Sequence, residues 1–454
     1  MRMTSSPAAG NPGVSASLPP GFRARRGLNW ATVGLMYTSY YLCRYNFSYA
    51  NSAIRNEFGF SYEDMSRIIF WNLFAYACGQ LVNGFITDHI GGKRAMLVGA
   101  AGTVIANILF GAASFWGLFW LFALLWGING YVQSFGSPGF IKINSSWFSE
   151  KGRGTFAGIF GFMINLGRFV ANKLLPSLLA GFTFLGMWQI PPQHWRWLFW
   201  IPAGVATVVA IVLFFVVKDT PEECGFKDLF KGEADHADTG VRATYAMLFK
   251  QVFLNHVVWV MALAYSCTGA VRQAIDQWFP VYFQDVHHLN MKESAYFQWV
   301  GFLIPFVASS GSLISGWVSD RFFAARRAPV AAAIYILEML VIIAAATTAH
   351  SVGAAVGFFV AIAFTVNSTH SLLGPAAAMD IGGRKMAAFA SGCIDSFQYF
   401  GAAVAMWGLG WVLDHKGWSW YFPYLIPFGF IGGIAMFSIA HRKSLKKDPQ
   451  PAQH

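Results

Sequence analysis

Charge is scarce in this chain: of 454 residues, 32 are Lys or Arg and 21 are Asp or Glu, 12% in all, against 56% hydrophobic residues. So little charge cannot clothe several soluble domains, which places the chain in the membrane class. Cysteine is also scarce. The five cysteines have no paired spacing, and Cys43, Cys78, Cys267 and Cys393 fall inside apolar runs, so they read as small hydrophobes with no disulfide and no metal site. No Ser/His/Asp set, metal-ligand cluster or glycine-rich phosphate loop converges, so nothing supports an intramembrane enzyme and no cofactor is expected. A net charge of +11 is the kind of excess that nucleic-acid binders carry, but here the basic residues sit in short loops between apolar runs, where they report orientation instead. No nucleic-acid partner is expected.

What remains is a series of long apolar runs. Residues 1–27, rich in Ser, Pro, Gly and Ala, read as a disordered tail without the apolar core of a cleavable signal. Runs follow near 29–50, 66–87, 94–115, 117–141, 154–182 and 195–217, and again near 255–284, 295–319, 329–348, 351–377, 386–413 and 418–440. Each is long enough to cross a bilayer as a helix. The expected organisation is an N-terminal six-helix half (28–217), a polar central loop (218–254), a C-terminal six-helix half (255–441) and a short tail (442–454). The two tails, the central loop and the loops after spans two, four, eight and ten carry 22 of the 32 Lys and Arg, which predicts cytoplasmic termini and central loop. The central loop reads as a tether.

Arg44 breaks the pattern, because it stands well inside the first run within Tyr40-Tyr41-Leu42-Cys43-Arg44-Tyr45-Asn46. An arginine at that depth costs about 2.5–3.5 kcal/mol unless something offsets it. It could snorkel to the far interface through a collar of Tyr41, Tyr45 and Tyr49. A second arginine argues against that. Arg272 lies 228 residues on, at the matching place in the second half. Gly84-Phe85-Ile86-Thr87-Asp88 recurs as Gly316-Trp317-Val318-Ser319-Asp320 after 232 residues, and Gly152-Arg153-Gly154 as Gly383-Arg384-Lys385 after 231. Three near-equal offsets predict two pseudo-symmetric halves with a binding site between them near the midplane.

The loop from Gly84 through Asp88, His89, Gly91, Gly92, Lys93 and Arg94 sets a carboxylate beside cations across a tight turn, which suits a conformational latch. With its second copy, Asp320-Arg321 through Arg326-Arg327, it resembles the loop signature of the major facilitator superfamily. The fold implied is an all-α membrane protein of 12 transmembrane helices in two six-helix halves. Within that superfamily, residues 28 to 442 resemble the organophosphate:phosphate antiporters. The resemblance is carried by Tyr40 to Phe47, by Lys218-Asp219-Thr220-Pro221-Glu222-Glu223-Cys224-Gly225, by Arg272-Gln273-Ala274-Ile275-Asp276-Gln277-Trp278 and by Ser319-Asp320-Arg321-Phe322-Phe323. It assigns Arg44 and Arg272 to the phosphate group, the two residues that their depth had already singled out. It also implies obligatory exchange of an organic phosphate for inorganic phosphate in a bacterial inner membrane, by a chain that functions as a monomer.

The chemistry fits: a guanidinium offers parallel donors to a phosphate dianion and does not titrate. An empty cavity would occlude two like charges, which the dianion neutralises. Other polar span residues keep two readings. Asp276 is either an intrahelical partner of Arg272 or a gate that releases it, and Asp395 takes a proton, a cationic group or an unidentified basic partner. Arg168 is a third positive charge or faces a polar crevice. Lys142 snorkels. Tyr45 adjoins Arg44, and Gln80, Asn165, Asn367 and His370 either bond the substrate body or join helices. Family members with a lysine around Gln80 and a histidine around Ile164 differ from this chain there, which puts the substrate body in doubt. Two alternatives stand beside exchange. Arg44-Tyr45-Asn46-Phe47-Ser48 and Tyr76-Ala77-Cys78-Gly79-Gln80 also resemble the proton-coupled anion:cation symporters, in which Asp395 or Asp276 would be the coupling site, and a phosphosugar-sensing receptor would share the transporter fold.

Overall fold

The computed structural model describes residues 18–148, 153–226, 229, 254, 256–323, 326–374 and 387–440. The start of the N-terminal tail, most of the central loop, the Gly383-Arg384-Lys385 loop and the C-terminal tail lie outside them. The described helices are α1 (Phe22–Phe58), α2 (Tyr62–Ile90), α3 (Gly92–Ala113), α4 (Phe119–Gln133), α5 (Gly136–Trp147), α6 (Arg153–Leu179) and α7 (Trp197–Val216). The second set is α8 (His256–Asp285), α9 (Ala295–Phe322), α10 (Arg327–Thr348), α11 (Val352–Leu373), α12 (Ala387–Lys416) and α13 (Tyr421–Ile439). Ser134 and Phe135, which separate α4 from α5, keep helical angles, so these two form one interrupted span and the described spans number twelve. A hairpin of β1 (Phe182–Phe184) and β2 (Trp188–Ile190) interrupts the connection from α6 to α7.

Sequence explains the ends of the rods. Gly21 (φ 80°) precedes α1, so the last residues of the expected tail are helical, and Gly59 (φ 69°) closes it with its amide donating to the Arg55 carbonyl. Ser61 and Asp64 then form a capping box at the start of α2. Packing divides the rods into two sets. α1 lies against α6 and α7, α2 against α4, and α3 against α4, α5 and α7; α8 lies against α11, α12 and α13, and α9 and α10 against α11. The sets meet where α1 touches α8, α2 and α5 touch α12, and α6 touches α9. α1 and α8 are the central pair, buried on nearly every face from Thr32 to Ile54 and from Ala262 to Phe283. α7, by contrast, buries one narrow stripe and turns the rest outward.

The α2–α12 seam is backbone-close at two places. A Cβ on Gly392 would lie 2.2 Å from the Gln80 carbonyl oxygen, and one on Gly410 would lie 2.3 Å from the Ser66 Cβ, so only glycine fits. At the end away from the chain termini, Arg55 of α1 pairs with Asp285 of α8 at 2.6 Å, and the Asp414 carboxylate accepts from the Tyr62 and Glu63 amides. Lys173 donates to Gln298 and Asn172 to the Gly301 carbonyl on the α6–α9 side.

At the terminus-side end, the first residues after α7 are docked, while most of the stretch read as a tether lies outside the described residues. The Lys218 amide donates to Asn29, whose side chain donates back to the Lys218 carbonyl, and the Trp147 indole donates to the same carbonyl. Arg25 donates to the Val216 carbonyl at 2.5 Å. The Asp219 carboxylate accepts from the Lys93 amide at 2.7 Å, capping α3. Burial raises the Asp219 carboxyl above its ordinary value, an effect that the Lys93 amide opposes.

Candidate substrate site between the halves

Arg44 is set into α1 by a relay of neutral amides. Its Nε donates to Gln133 Oε1 at 2.9 Å. Gln133 in turn donates to the Cys43 carbonyl and to Asn129 Oδ1, Asn107 donates to Asn129 Oδ1, and Asn46 donates to Asn107 Oδ1 at 2.7 Å. The outer face of the guanidinium meets rings, with Tyr76 at 4.5 Å and Tyr41 at 5.2 Å from their centroids, and Nη1 donates to the Tyr399 hydroxyl at 3.3 Å. Arg44 is 5% exposed, so it does not snorkel.

Arg272, 4% exposed, faces the same interior from α8. Its Nη1 lies 3.4 Å from His370 Nδ1 and donates to Gln398 Oε1 at 3.4 Å, while Nε stands 3.8 Å from Asp276 Oδ2. With its oxygen toward Arg272 and its nitrogen toward Asp395, the Gln398 amide satisfies both neighbours. Tyr265 bonds to His370 Nδ1 at 2.8 Å and donates to Asp395 Oδ1 at 3.3 Å. Gln80 reaches Asp395 Oδ2 at 3.4 Å from the other half. The partners of Asp395 are therefore neutral hydrogen-bonding groups.

Asp276 does more than pair along its own helix. Arg168 of α6 bonds directly to Asp276 Oδ1, and the Tyr45 hydroxyl of α1 donates to Oδ2 at 2.9 Å. One carboxylate from the second half thus joins two residues of the first. Ser48 of α1 donates to Gln277 Oε1 of α8 at 2.5 Å beside it. Three guanidiniums and two carboxylates share this interior, walled by Tyr41, Tyr45, Tyr76 and Tyr399.

Arg44, Tyr45, Gln80, Arg168, Arg272, Asp276, His370 and Asp395 come together. Asn165 and Asn367 do not join them through a hydrogen bond, since each donates to a carbonyl of its own helix, at Gly161 and Ala363. Gln133, Tyr76, Tyr265, Gln398 and Tyr399 complete the site. Tyr76 stood in a stretch that resembles the symporters; the other four, neutral and common in apolar helices, carried no signal beyond their register on the same helix faces.

The latch residues part company. Asp88 accepts from Lys142 Nζ at 2.8 Å, so Lys142 does not simply snorkel, and from the Phe389 amide of the opposite half at 3.1 Å. The carboxylate therefore caps α12 across the interface. Lys93 offers its amide to Asp219 and its ammonium to the Phe214 ring, and Arg94 is exposed. The cation across the turn is not the one the carboxylate holds. Asp320 and Arg321 of the second copy are exposed.

Comparison with known proteins agrees with this architecture. The chain is 27% identical over 405 residues to a glycerol-3-phosphate transporter of Bacillus subtilis, with 86% of each chain covered. It is 28% identical to the membrane sensor protein UhpC of Escherichia coli, covering 86% of this chain and 87% of that one. Among solved structures, a bacterial homologue of the human lysosomal transporter Spinster, in an inward-facing and unoccupied conformation, superposes with a TM-score of 0.73. That match covers 92% of this chain and 97% of the other at 15% identity, and so speaks for the fold alone. The Major Facilitator Superfamily profile matches residues 33–406. With twelve described spans in two packed sets of six, this multi-pass membrane protein is a member of the Major Facilitator Superfamily, a transporter family and not an enzyme family.

Proposed function

We propose that the protein exchanges a phosphate monoester for inorganic phosphate across a bacterial inner membrane by alternating access, acting as a monomer with cytoplasmic termini. The observation that carries the reading is the pair Arg44 and Arg272, one from each half and both buried. Residues 28–217 and 255–441 move as two bodies, and the two guanidiniums grip opposite sides of the phosphate. Burying such charges without a counter-ion costs several kcal/mol each, so passage between states favours the loaded site. The link from Asp276 to Arg168 and Tyr45 tempers that charge when no anion is bound. An arriving phosphate competes with Asp276 for Arg272, loosening that pair within α8 as it ties Arg272 to Arg44 of the other half. Asp88, capping α12, is the corresponding tie at the cytoplasmic end. The similarity to a glycerol-3-phosphate transporter supports the substrate class.

Proteoliposomes loaded with inorganic phosphate test this by uptake of labelled phosphate, with Arg44→Lys and Arg272→Lys alongside. Uptake that requires internal phosphate and fails in both variants is expected. Entry of a carboxylate driven by a proton gradient, without phosphate movement, would replace exchange by symport. Phosphate-ester binding without movement would make the protein a sensor, as the similarity to UhpC allows.

A further inference from the structure

Arg168 is used at only one end. Its Nη2 bonds to Asp276, while Nη1 is buried without a hydrogen-bond partner in a side chain that is 4% exposed. Its guanidinium lies 6.0 Å from the Tyr45 ring, whose hydroxyl also donates to Asp276. The Asp276 carboxylate therefore sits between two guanidiniums and a phenol, in a wall already shaped to seat a carboxylate. A guanidinium offers donors only, so its unused end selects an acceptor, and a charged acceptor bonds about twice as strongly as a hydroxyl.

From this, and resting on the exchange reading for the role of Arg44 and Arg272, we infer that Arg168 forms a second anion subsite beside Arg272. It selects phosphate monoesters that also carry a carboxylate over those whose body is a polyol. Asp276 orients Arg168 through Nη2 and leaves Nη1 for the incoming carboxylate. A hydroxyl in the same place leaves the buried charge poorly satisfied, and a mismatch of that kind is discriminated against strongly.

Two probes of matched skeleton make the test: 3-phosphoglycerate and glycerol 3-phosphate differ in a carboxylate against a hydroxymethyl group. Inhibition of labelled phosphate exchange by each gives a ratio, and 3-phosphoglycerate is expected to be at least about tenfold the stronger. In Arg168→Gln the ratio falls to about one, and in Arg168→Lys, which keeps the charge but not the fork, it lies between. Equal inhibition by the two probes in the natural protein, or a ratio that survives Arg168→Gln, overturns the subsite. Titration calorimetry on the purified natural protein yields the same ratio without any transport. A failure of exchange would then refute the antiport reading while the subsite still stands or falls by binding.

Discussion

Arg44 and Arg272 occupy matching places in the two halves, yet they are held by different chemistry. Arg44 leans on uncharged groups in a short, directed relay, its Nε 2.9 Å from Gln133 and that amide tied to Asn129. Arg272 has longer contacts, 3.4 Å to Gln398 and His370 and 3.8 Å to Asp276, and shares Asp276 with Arg168. The two halves match in where the charge stands and not in the way it is held. The first arginine is a fixed post and the second is part of an adjustable cluster. On the proposed exchange reading, an anion docks on the post and reorganises the cluster.

The largest effect expected falls on the adjustable side. Asp276→Asn leaves Arg168 without its countercharge, and breaking a buried pair in this way costs about 3–5 kcal/mol. A marked fall in thermal stability in detergent is the expected readout; an unchanged melting curve would dissolve the contrast between the two environments. Arg44→Gln and Arg272→Gln come next, each weakening phosphate binding about 100-fold, or about 2.7 kcal/mol. Losses of similar size would show both arginines on the anion, and near-normal binding in either would break the pairing. Gln133→Leu removes the acceptor under Arg44 and should raise the KM for phosphate about tenfold with little change in maximal rate, since the lost bond involves a charge. Gln398→Leu, acting on the looser arginine, should change KM about twofold; the reverse order would exchange the roles of post and cluster. Asn46→Ala, at the far end of the relay, should cost about 0.6–1 kcal/mol of stability and leave KM alone.

The site was half legible in the sequence for a physical reason. An arginine inside an apolar run is so costly that its position alone marks it, and repetition at a fixed offset marked the second. The same cost drew attention to Asp276, Arg168 and Asp395. Their partners were hidden, because Gln133, Gln398 and the tyrosines are cheap in a helix interface and nothing local reveals which face they share. Proximity along the chain misled in one case. Lys93 and Arg94 lie closest to Asp88 in sequence, but Lys142 and the Phe389 amide reach its carboxylate in space. The twelve rods were plain from hydrophobic runs, whereas the break between α4 and α5 and the small hairpin at Phe182–Ile190 were not, since neither alters apolar content.

The glycine contact on the α2–α12 seam has a mechanical side. Where Gly392 meets the Gln80 carbonyl, no side chain intervenes to bend or rotate, so the two rods bear on each other as rigid surfaces. The next such contact, at Gly410, lies along α12 at about 1.5 Å per residue, roughly 27 Å away. Treated as a lever, α12 tilting about Gly392 by roughly a fifth of a radian lifts the Gly410 end by about one helical pitch, 5.4 Å. Asp395 and Gln398, within two helical turns of that pivot along α12, shift far less. A short arm beside the partners of Arg272 and a long one at the far end of the rod give one tilt two very different amplitudes.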